Sequence, residues 1–462
     1  MAGPAAAQTR LKIEPYAFKL ADGSELAAER GTFTVPEDRK DPKSRRIEIG
    51  FVRFKSTNPK PGAPLVYLAG GPGGSGVGAA RSKERQPLFL ALRAAGDVIA
   101  LDQRGVGLSN SIPECTAEKR LDPSAILNEA SLTVHYRQTF DRCVAKWRQA
   151  GVAVGGYTTE QSADDIEALR RALGAKKLDL WAISYGTHLA MATMRRHPKS
   201  IGRAVLVSAE GMNQTVSLPG EVDPAFDRIE RAAGLPAGGL TGLMRKVHAR
   251  YDAQPQTFEL KGPDGANISF RADSFPLRMM AGIVPKNPDG IPQLAGAYMA
   301  LDAGQKQPIA PLIYGYFFGK PLSMSGMPQL MDLASSASEA RLAEARRQAP
   351  SSLLGLAGNF PMPQLRGALP GHALGDAFRR EIRSAIPVLL LSGDLDVRTS
   401  LEEQAAATAG LKNMHQVIVR NGGHDLFEAH PDVPRLMLDF FLGKPLVTRE
   451  LKLPAPKLGK GS

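Results

Sequence analysis

Short strand-like runs alternate with helix-like segments along the first half of the chain, and this alternation limits the possible folds more than any other feature. The segment from Thr159 to Leu173 has acids in its first turns, a periodic apolar face and Gly174 directly after it, as a helix with a glycine stop requires. Chains with this alternation form a parallel sheet covered by crossover helices. The strand-like runs lie at 31–35, 46–54, 64–68, 97–101, 178–182 and 203–207.

Residues 212–375 lack this alternation and are instead rich in Pro, Gly and Met, with amphipathic stretches near 223–233 and 337–347. Strand-like runs return at 387–392 and 415–420, so an inserted segment interrupts one sheet. We therefore predict an α/β core in two segments, 1–211 and 376–462, with a mainly helical cap at 212–375. The aromatic run from Tyr314 to Phe318 fits either the core of this cap or the lining of a cleft, and the tail from Val447 is predicted to be peripheral.

Composition excludes several classes of protein. The chain of 462 residues is 43% hydrophobic, which is enough to bury a full core. Its net charge of +12 arises from 58 basic residues spread among 46 acidic ones, with no basic block interleaved with aromatics, so nucleic acid is not predicted as a partner. No run approaches the roughly 18 apolar residues of a membrane span. The two cysteines and eight histidines show no metal-ligand spacing, and no metal is predicted.

A serine stands where a strand-like run meets a helix, in Leu178-Asp-Leu-Trp-Ala-Ile-Ser184-Tyr-Gly-Thr-His-Leu-Ala190. A serine on such a sharp turn needs small residues two positions before and after it, and Ala182 and Gly186 occupy those positions. A serine hydroxyl is a weak nucleophile unless a histidine accepts its proton and an acid orients that histidine. The context therefore predicts Ser184 as a nucleophile with two partners from elsewhere in the chain.

Both partners are expected in the second core segment, in the order acid and then histidine. Asp396 follows the run at 387–392, three residues past Gly393, and is favoured over Asp394. His424 follows the last run, directly after two glycines. We predict that Asp396 orients His424 and that His424 is the general base. His188, one helical turn after Ser184, is interpreted as structural, and no chemistry is assigned to the other histidines.

The glycine-rich loop from Ala69 to Gly76 follows the run at 64–68 and is predicted to form an oxyanion hole. Backbone N–H groups there stabilise charge that develops in the transition state, and the loss of one such donor typically costs ~10²–10³ in rate. The predicted donors are the N–H of Tyr185 and the N–H of Gly71, with Gly70 as the alternative to Gly71. A phosphate-binding loop does not fit, because no Lys-Ser or Lys-Thr pair follows.

Several of these motifs resemble the proline iminopeptidase and tripeptidyl aminopeptidase family of α/β-hydrolases. The resemblance covers roughly residues 30–211 and 376–440, and its motifs are Gly70-Gly-Pro-Gly73, Asp102-Gln-Arg-Gly105 with Gly107-Leu-Ser109, Ser184-Tyr-Gly-Thr187 and Gly393-Asp-Leu-Asp396. Ala69 replaces a motif histidine and Ala182 replaces a motif glycine, although neither change removes a catalytic group.

The resemblance implies an α/β-hydrolase fold without a cofactor and a serine hydrolase that releases residues or short peptides from free N-termini. A carboxylesterase or amidase acting on small esters is the alternative, and a binding protein that keeps the fold without turnover is a third hypothesis. An exopeptidase of this kind needs an acid that binds the substrate ammonium. Glu210 is the candidate, with Glu221 and Asp223 behind it, while a solvated or structural carboxylate is the competing interpretation.

Cys115 and Cys143 fit either two buried thiols or one disulfide. The small-residue segment from Ala2 to Gln8 resembles the end of a secretory signal, which favours an exported protein and therefore the disulfide. The cysteine pair also resembles that of exported tripeptidyl-aminopeptidase-like proteins. The sequence does not indicate an oligomeric state.

Overall fold

The computed structural model of the chain describes residues 11–262 and 265–458. Its strands, numbered in chain order, are β1 Leu11–Lys19, β2 Glu25–Pro36, β3 Arg46–Phe54, β4 Leu65–Leu68, β5 Val98–Leu101, β6 Cys115–Thr116, β7 Ile126–Leu127, β8 Leu178–Ile183, β9 Ile201–Val207, β10 Gln256–Lys261, β11 Asn267–Ala272, β12 Ser323–Met324, β13 Val388–Gly393, β14 Met414–Arg420 and β15 Glu450–Lys452.

The α-helices are α1 Gly76–Arg81, α2 Gln86–Ala91, α3 Glu129–Gln149, α4 Thr159–Ala172, α5 Tyr185–Arg196, α6 Pro219–Ala232, α7 Gly239–Ala253, α8 Phe275–Ile283, α9 Gly290–Asp302, α10 Ala310–Phe317, α11 Met327–Ser335, α12 Glu339–Gln348, α13 Met362–Leu365, α14 Asp376–Arg379, α15 Leu401–Thr408 and α16 Asp432–Phe441. Short 3-10 turns lie between some of them, including the turn Val284–Lys286 before α9.

One ten-stranded sheet forms the core, in the order β1-β2-β3-β5-β4-β8-β9-β13-β14-β15. The pairs from β1 to β5 are antiparallel, and those from β5 through β4 to β15 are parallel. Every residue of β4, β8 and β13 is buried, as expected for parallel strands covered by helices on both faces. This sheet confirms the predicted fold class.

Helix α4 shows how the sequence sets a crossover. The side chain of Thr158 accepts a hydrogen bond from the N–H of Gln161 and so caps the first turn. Gly174 follows the end of the helix with φ of +65°, a conformation that suits glycine and stops the helix. The chain then enters β8, which carries Ser184 at its end.

The parallel strands are interrupted between β9 and β13, where helices α6 to α14 and the short strands β10, β11 and β12 lie. We propose residues 212–375 as the cap. Its apolar core includes Phe317 and Phe318, and Tyr314 packs against that core, while Tyr316 is 50% exposed. Strand β7 pairs with β11, and β6 pairs with β12, so residues 115–127 join the inserted segment to the first core segment.

A disulfide between Cys115 and Cys143 ties β6 to α3, as predicted. The tail contributes β15, which pairs with β14 at the edge of the main sheet. The signal-like stretch from Ala2 to Gln8 lies outside the described residues. Within the described ranges, no helix is both long enough and apolar enough to cross a bilayer.

Candidate active site

Ser184 lies on a strained turn between β8 and α5. Its backbone has φ 55° and ψ −129°, which L-residues rarely adopt, and its N–H donates to the carbonyl of Val207 at 3.0 Å. A Cβ atom at position 186 would lie 2.1 Å from the carbonyl oxygen of Leu68, so Gly186 allows the helix to pass close to β4. The turn therefore presents the hydroxyl of Ser184 at the carboxyl edge of the sheet.

Asp396 and His424 meet at the same edge, after β13 and β14. The Nδ1 atom of His424 lies 2.9 Å from Oδ2 of Asp396, and both side chains are buried. Asp396 also accepts hydrogen bonds from the N–H of Arg398 at 2.7 Å and from the N–H and hydroxyl of Thr399. Asp394 does not contact His424 and instead accepts a hydrogen bond from the N–H of Asn421 at 2.7 Å.

The environment keeps Asp396 ionised. Burial acts to raise the pKa of Asp396, but the charge of His424 and the hydrogen bonds from His424 and Thr399 outweigh it, so the pKa lies below the ordinary value. An ionised carboxylate can hold the Nδ1–H tautomer of His424 and stabilise its protonated form. The other ring nitrogen, Nε2, is then available to accept a proton.

Two backbone contacts hold the loop that carries His424. The hydroxyl of Ser208, the residue after β9, donates to the carbonyl of His424 at 2.7 Å. The N–H of His424 donates to the carbonyl of Lys286, from the inserted segment, at 2.7 Å. Among the described residues, no hydrogen bond joins Ser184 Oγ to His424, so this hydrogen bond must form before a proton can pass between them.

The glycine-rich loop passes directly beside Ser184. A Cβ atom at position 70 would lie 3.1 Å from Cβ of Ser184, and Gly71 lines the same cavity as Ser184. Within the described part of the chain, no acceptor takes the N–H of Gly71 or of Tyr185. Both groups are therefore available to a substrate oxygen, and Gly71, unlike Gly70, is one of the residues that line the cavity.

The Asp102-Gln-Arg-Gly105 motif supports this loop. Asp102 accepts hydrogen bonds from the hydroxyl of Ser75 at 2.6 Å and from the N–H of Leu108 at 2.8 Å. The side-chain amide of Gln103 donates to the carbonyl of Ala69 at 3.1 Å. Arg104 is fully buried and forms an ion pair with Asp165 at 2.8 Å. The motif therefore shapes the site without supplying a reacting group.

Two carboxylates, Glu210 and Asp332, line the cavity that contains Ser184. Neither side chain forms an ion pair or hydrogen bond with any residue that the structure describes. Burial raises the pKa of Asp332 to about 8. Burial, followed by the charges of Asp332 and Glu403, also raises the pKa of Glu210 well above its usual range.

The other predicted acids are engaged elsewhere. Glu221 forms an ion pair with Arg341 at 3.3 Å, and Asp223 forms one with Arg245 at 3.2 Å and accepts the N–H of Leu353. Neither lines the cavity that contains Ser184. Of the three acids considered from the sequence, only Glu210 lies beside Ser184.

His188 is buried and links the two segments that carry these carboxylates. Its Nδ1 atom lies 3.0 Å from the carbonyl of Gly211, next to Glu210, and its Nε2 atom lies 3.0 Å from the hydroxyl of Ser335, one turn after Asp332. Burial lowers its pKa to about 4, so it is neutral at pH 7. Its contacts are those of a structural residue.

The sequence reasoning did not identify Asp332 or Arg398, although both line the cavity. Asp332 stands within the apolar run Leu330-Met-Asp-Leu-Ala334, and a lone acid in such a run is a signal that could have drawn attention to it. Arg398 lies two residues past Asp396, but sequence spacing does not say that its side chain faces the cavity.

Within the described residues, no cluster of His, Cys, Asp or Glu has an arrangement that could hold a metal ion.

Two protein families match separate parts of the chain. The alpha/beta hydrolase fold family matches residues 63–250, and the family described as TAP-like protein matches residues 369–448. The first range contains Ser184, and the second contains Asp396 and His424. These matches agree with the sheet order and confirm the predicted resemblance.

Individual relatives match over parts of the chain. The tripeptidyl aminopeptidase of Streptomyces lividans is 29% identical over 214 residues, which are 44% of this chain and 37% of the relative. Serine protease Hip1 of Mycobacterium bovis is 31% identical over 208 residues, which are 43% of this chain and 37% of that protein. The aligned part thus spans little more than a third of these relatives. Among solved structures, the proline iminopeptidase of Mycobacterium smegmatis covers 89% of this chain and 98% of its own, with 15% identity and a TM-score of 0.41.

Proposed function

We propose that this chain, an α/β hydrolase similar in its core to the tripeptidyl aminopeptidases, is a serine aminopeptidase that releases N-terminal residues or short peptides. One observation carries the proposal: Ser184 shares its cavity with two carboxylates, Glu210 and Asp332, that have no ion-pair partner among the described residues. Burying an unpaired acid is costly, and a folded protein keeps such groups mainly where function needs them. A substrate ammonium is the cation that would complete this pair.

The proposed reaction begins with acylation of Ser184. Its Oγ attacks the scissile carbonyl carbon while His424 Nε2 takes the hydroxyl proton, and Asp396 stabilises the resulting imidazolium. The carbonyl oxygen, now negative, is held by the N–H groups of Tyr185 and Gly71. The C–N bond then breaks as His424 gives its proton to the departing amine.

Water completes the cycle. His424 accepts a proton from a water molecule as the hydroxide oxygen adds to the acyl carbon. The C–O bond to Ser184 then breaks, and the proton returns from His424 to Ser184 Oγ. Throughout, Glu210 and Asp332 would hold the substrate ammonium, so that only chain ends bind productively.

The test compares unblocked chromogenic aminoacyl or tripeptidyl amides with their N-acetylated forms. We expect acetylation to lower kcat/KM on the order of 10²-fold, because it removes the cation that pairs with the two partly buried carboxylates. Glu210→Gln and Asp332→Asn should lose most of this preference. Glu221→Gln is the matched control, since Glu221 pairs with Arg341 outside the cavity, and it should keep the wild-type preference.

Two outcomes would favour the alternatives. Equal turnover of blocked and unblocked amides, together with rapid cleavage of small esters, would identify a carboxylesterase or amidase. A serine-directed phosphonate should label the wild type but not Ser184→Ala, whereas absence of labelling in both would favour a binding protein on a hydrolase fold.

We also propose that the protein is exported. The Cys115–Cys143 disulfide supports this, because disulfides persist in oxidising compartments and are rare in the cytosol. Mass spectrometry of the protein isolated from its native cells under alkylating conditions would test it. Free, alkylated thiols at both positions would contradict export.

A further inference from the structure

The cavity that contains Ser184 is lined by both acidic and basic side chains. Glu210 and Asp332 line it together with Arg398, and the charge of Arg398 acts to lower the pKa of both acids. Arg398 is exposed, whereas Glu210 and Asp332 are partly buried, and an acid and a base that line one cavity commonly close into an ion pair. Here they are close enough to interact and yet remain apart.

Arg398 has no ion pair and no side-chain hydrogen bond with the residues described here. Its backbone, by contrast, is fixed, because its N–H donates to Asp396 Oδ1 at 2.7 Å. The neighbouring Thr399 is buried and bonded to the same carboxylate. The guanidinium therefore extends from a rigid base beside the proposed catalytic acid, with all of its donors available.

A guanidinium in this setting suits a carboxylate, which it can hold through two parallel hydrogen bonds. We propose that Arg398 is a specificity-determining residue that binds a carboxylate of the substrate, so that the cavity selects peptides as dipolar ions. The carboxylate would come from the C-terminus of a short peptide or from an acidic side chain. This inference rests on the proposed aminopeptidase function, which supplies the ammonium at Glu210 and Asp332.

The experiment measures kcat/KM for unblocked alanine peptides of two to six residues, each as the free acid and as the C-terminal amide. At one or more lengths the wild type should prefer the free acid on the order of tenfold, the usual effect of a charge-assisted contact. Arg398→Gln should bring the acid-to-amide ratio close to one, and Arg398→Lys should keep part of it. Arg120→Gln, at an exposed arginine that does not line the cavity, should keep the wild-type ratio.

A second arm separates the two sources of carboxylate. Peptide amides with a single Glu at successive positions are compared with the same peptides carrying Gln. An Arg398-dependent preference for Glu, without an acid-to-amide preference, would assign the contact to a side chain. Circular dichroism confirms that each variant is folded.

The results distinguish this inference from the proposed function. A wild type that cleaves unblocked peptides with equal efficiency as acids, amides, Glu peptides and Gln peptides would overturn the role of Arg398 while leaving the aminopeptidase intact. Preferences that survive in Arg398→Gln would also overturn it. Failure to cleave any unblocked peptide, with continued turnover of esters, would instead remove the aminopeptidase function and this inference with it.

Discussion

Asp332 is an acid in an apolar helical segment, and its position has a thermodynamic consequence. Burial raises its pKa from 3.8 to about 8, so the folded protein holds this proton more tightly than the unfolded chain does. Between about pH 4 and pH 8 the unfolded state releases the proton while the folded state keeps it. The contribution of Asp332 to stability is thus full below about pH 4 and is lost progressively as the pH rises to about 8.

Asp332→Asn, which cannot ionise, should therefore be more stable than the wild type at alkaline pH. We expect a gain in unfolding free energy of about 1–3 kcal/mol at pH 9, and a much smaller one at pH 5, because each unit of pKa shift corresponds to about 1.4 kcal/mol before solvent access is considered. Urea unfolding at pH 5 and at pH 9 measures this gain in unfolding free energy. Glu221→Gln is the control. Equal effects of Asp332→Asn at the two pH values would contradict the raised pKa of Asp332.

At this scale the sequence predicts candidate site residues only where they stand in recognisable local contexts. Ser184 follows a strand and precedes a helix, and the choice of Asp396 over Asp394 follows from its distance past Gly393. Asp332 and Arg398 have no such local context, because their approach to Ser184 depends on how the inserted segment packs over the sheet. A pattern along the chain does not contain that information.

Helix α5 connects the proposed nucleophile, Ser184, to the two carboxylates Glu210 and Asp332. Ser184 stands before its first residue, Thr187 Oγ1 accepts the N–H of Glu210 at 2.8 Å, and His188 joins Gly211 to Ser335 on α11. One helical turn therefore fixes the distance between the serine and both carboxylates. We infer that His188 is a positioning residue for the proposed ammonium site.

His188→Leu should separate binding from chemistry. It leaves the Gly211 carbonyl without its partner and removes one of the two partners of the Ser335 hydroxyl, which keeps Thr159 at 3.0 Å, at a cost of about 1–3 kcal/mol in stability. KM for unblocked peptides should rise several-fold, while the rate of phosphonate labelling at Ser184 changes little. His248→Leu is the control, because His248 is also buried and its Nε2 atom lies 2.6 Å from the hydroxyl of Tyr298 within the inserted segment. A similar rise in KM for both variants would show that general destabilisation is the cause.

Among the elements, the buried parallel strands were predictable because continuous apolar runs bounded by Gly, Pro or charge have few other interpretations. Strand β1 was missed, because its alternating polar and apolar residues are only partly buried at an antiparallel edge. Strand β15 has three residues, of which only Leu451 is buried, and it forms by adding to β14. The strands β6 and β7 each have two residues and form only through pairing with distant segments.

At the scale of the whole molecule, the inserted segment also contacts the loop that carries His424, the proposed general base. The turn Val284–Lys286 and the residues after it lie against the histidine loop: the carbonyl of Lys286 accepts the N–H of His424, and the side chain of Asn287 accepts the N–H of Asp425 at 3.3 Å. Catalysis should therefore depend on the packing of the inserted segment against the core, and not only on the substrate contacts that the segment supplies.

Gly423 lies at the centre of this contact and allows a direct test. A Cβ atom there would lie 2.6 Å from the carbonyl oxygen of Lys286 and 2.9 Å from Cα of Asn287, both backbone atoms that cannot rotate away. Gly423→Ala should therefore push the two segments apart and displace His424, and a displacement of about 1 Å commonly costs up to ~10² in rate.

We expect kcat to fall for peptides and for small esters alike, because both reactions need the same base. Gly410→Ala is the matched control: its Cβ would lie 2.0 Å from the carbonyl of Ile382, a comparable backbone clash away from the cavity. Both variants should unfold at lower temperature, but only Gly423→Ala should lose kcat when each is assayed well below its unfolding midpoint. An equal loss in both, or an unchanged kcat in Gly423→Ala, would mean that the position of His424 does not depend on its contact with the inserted segment.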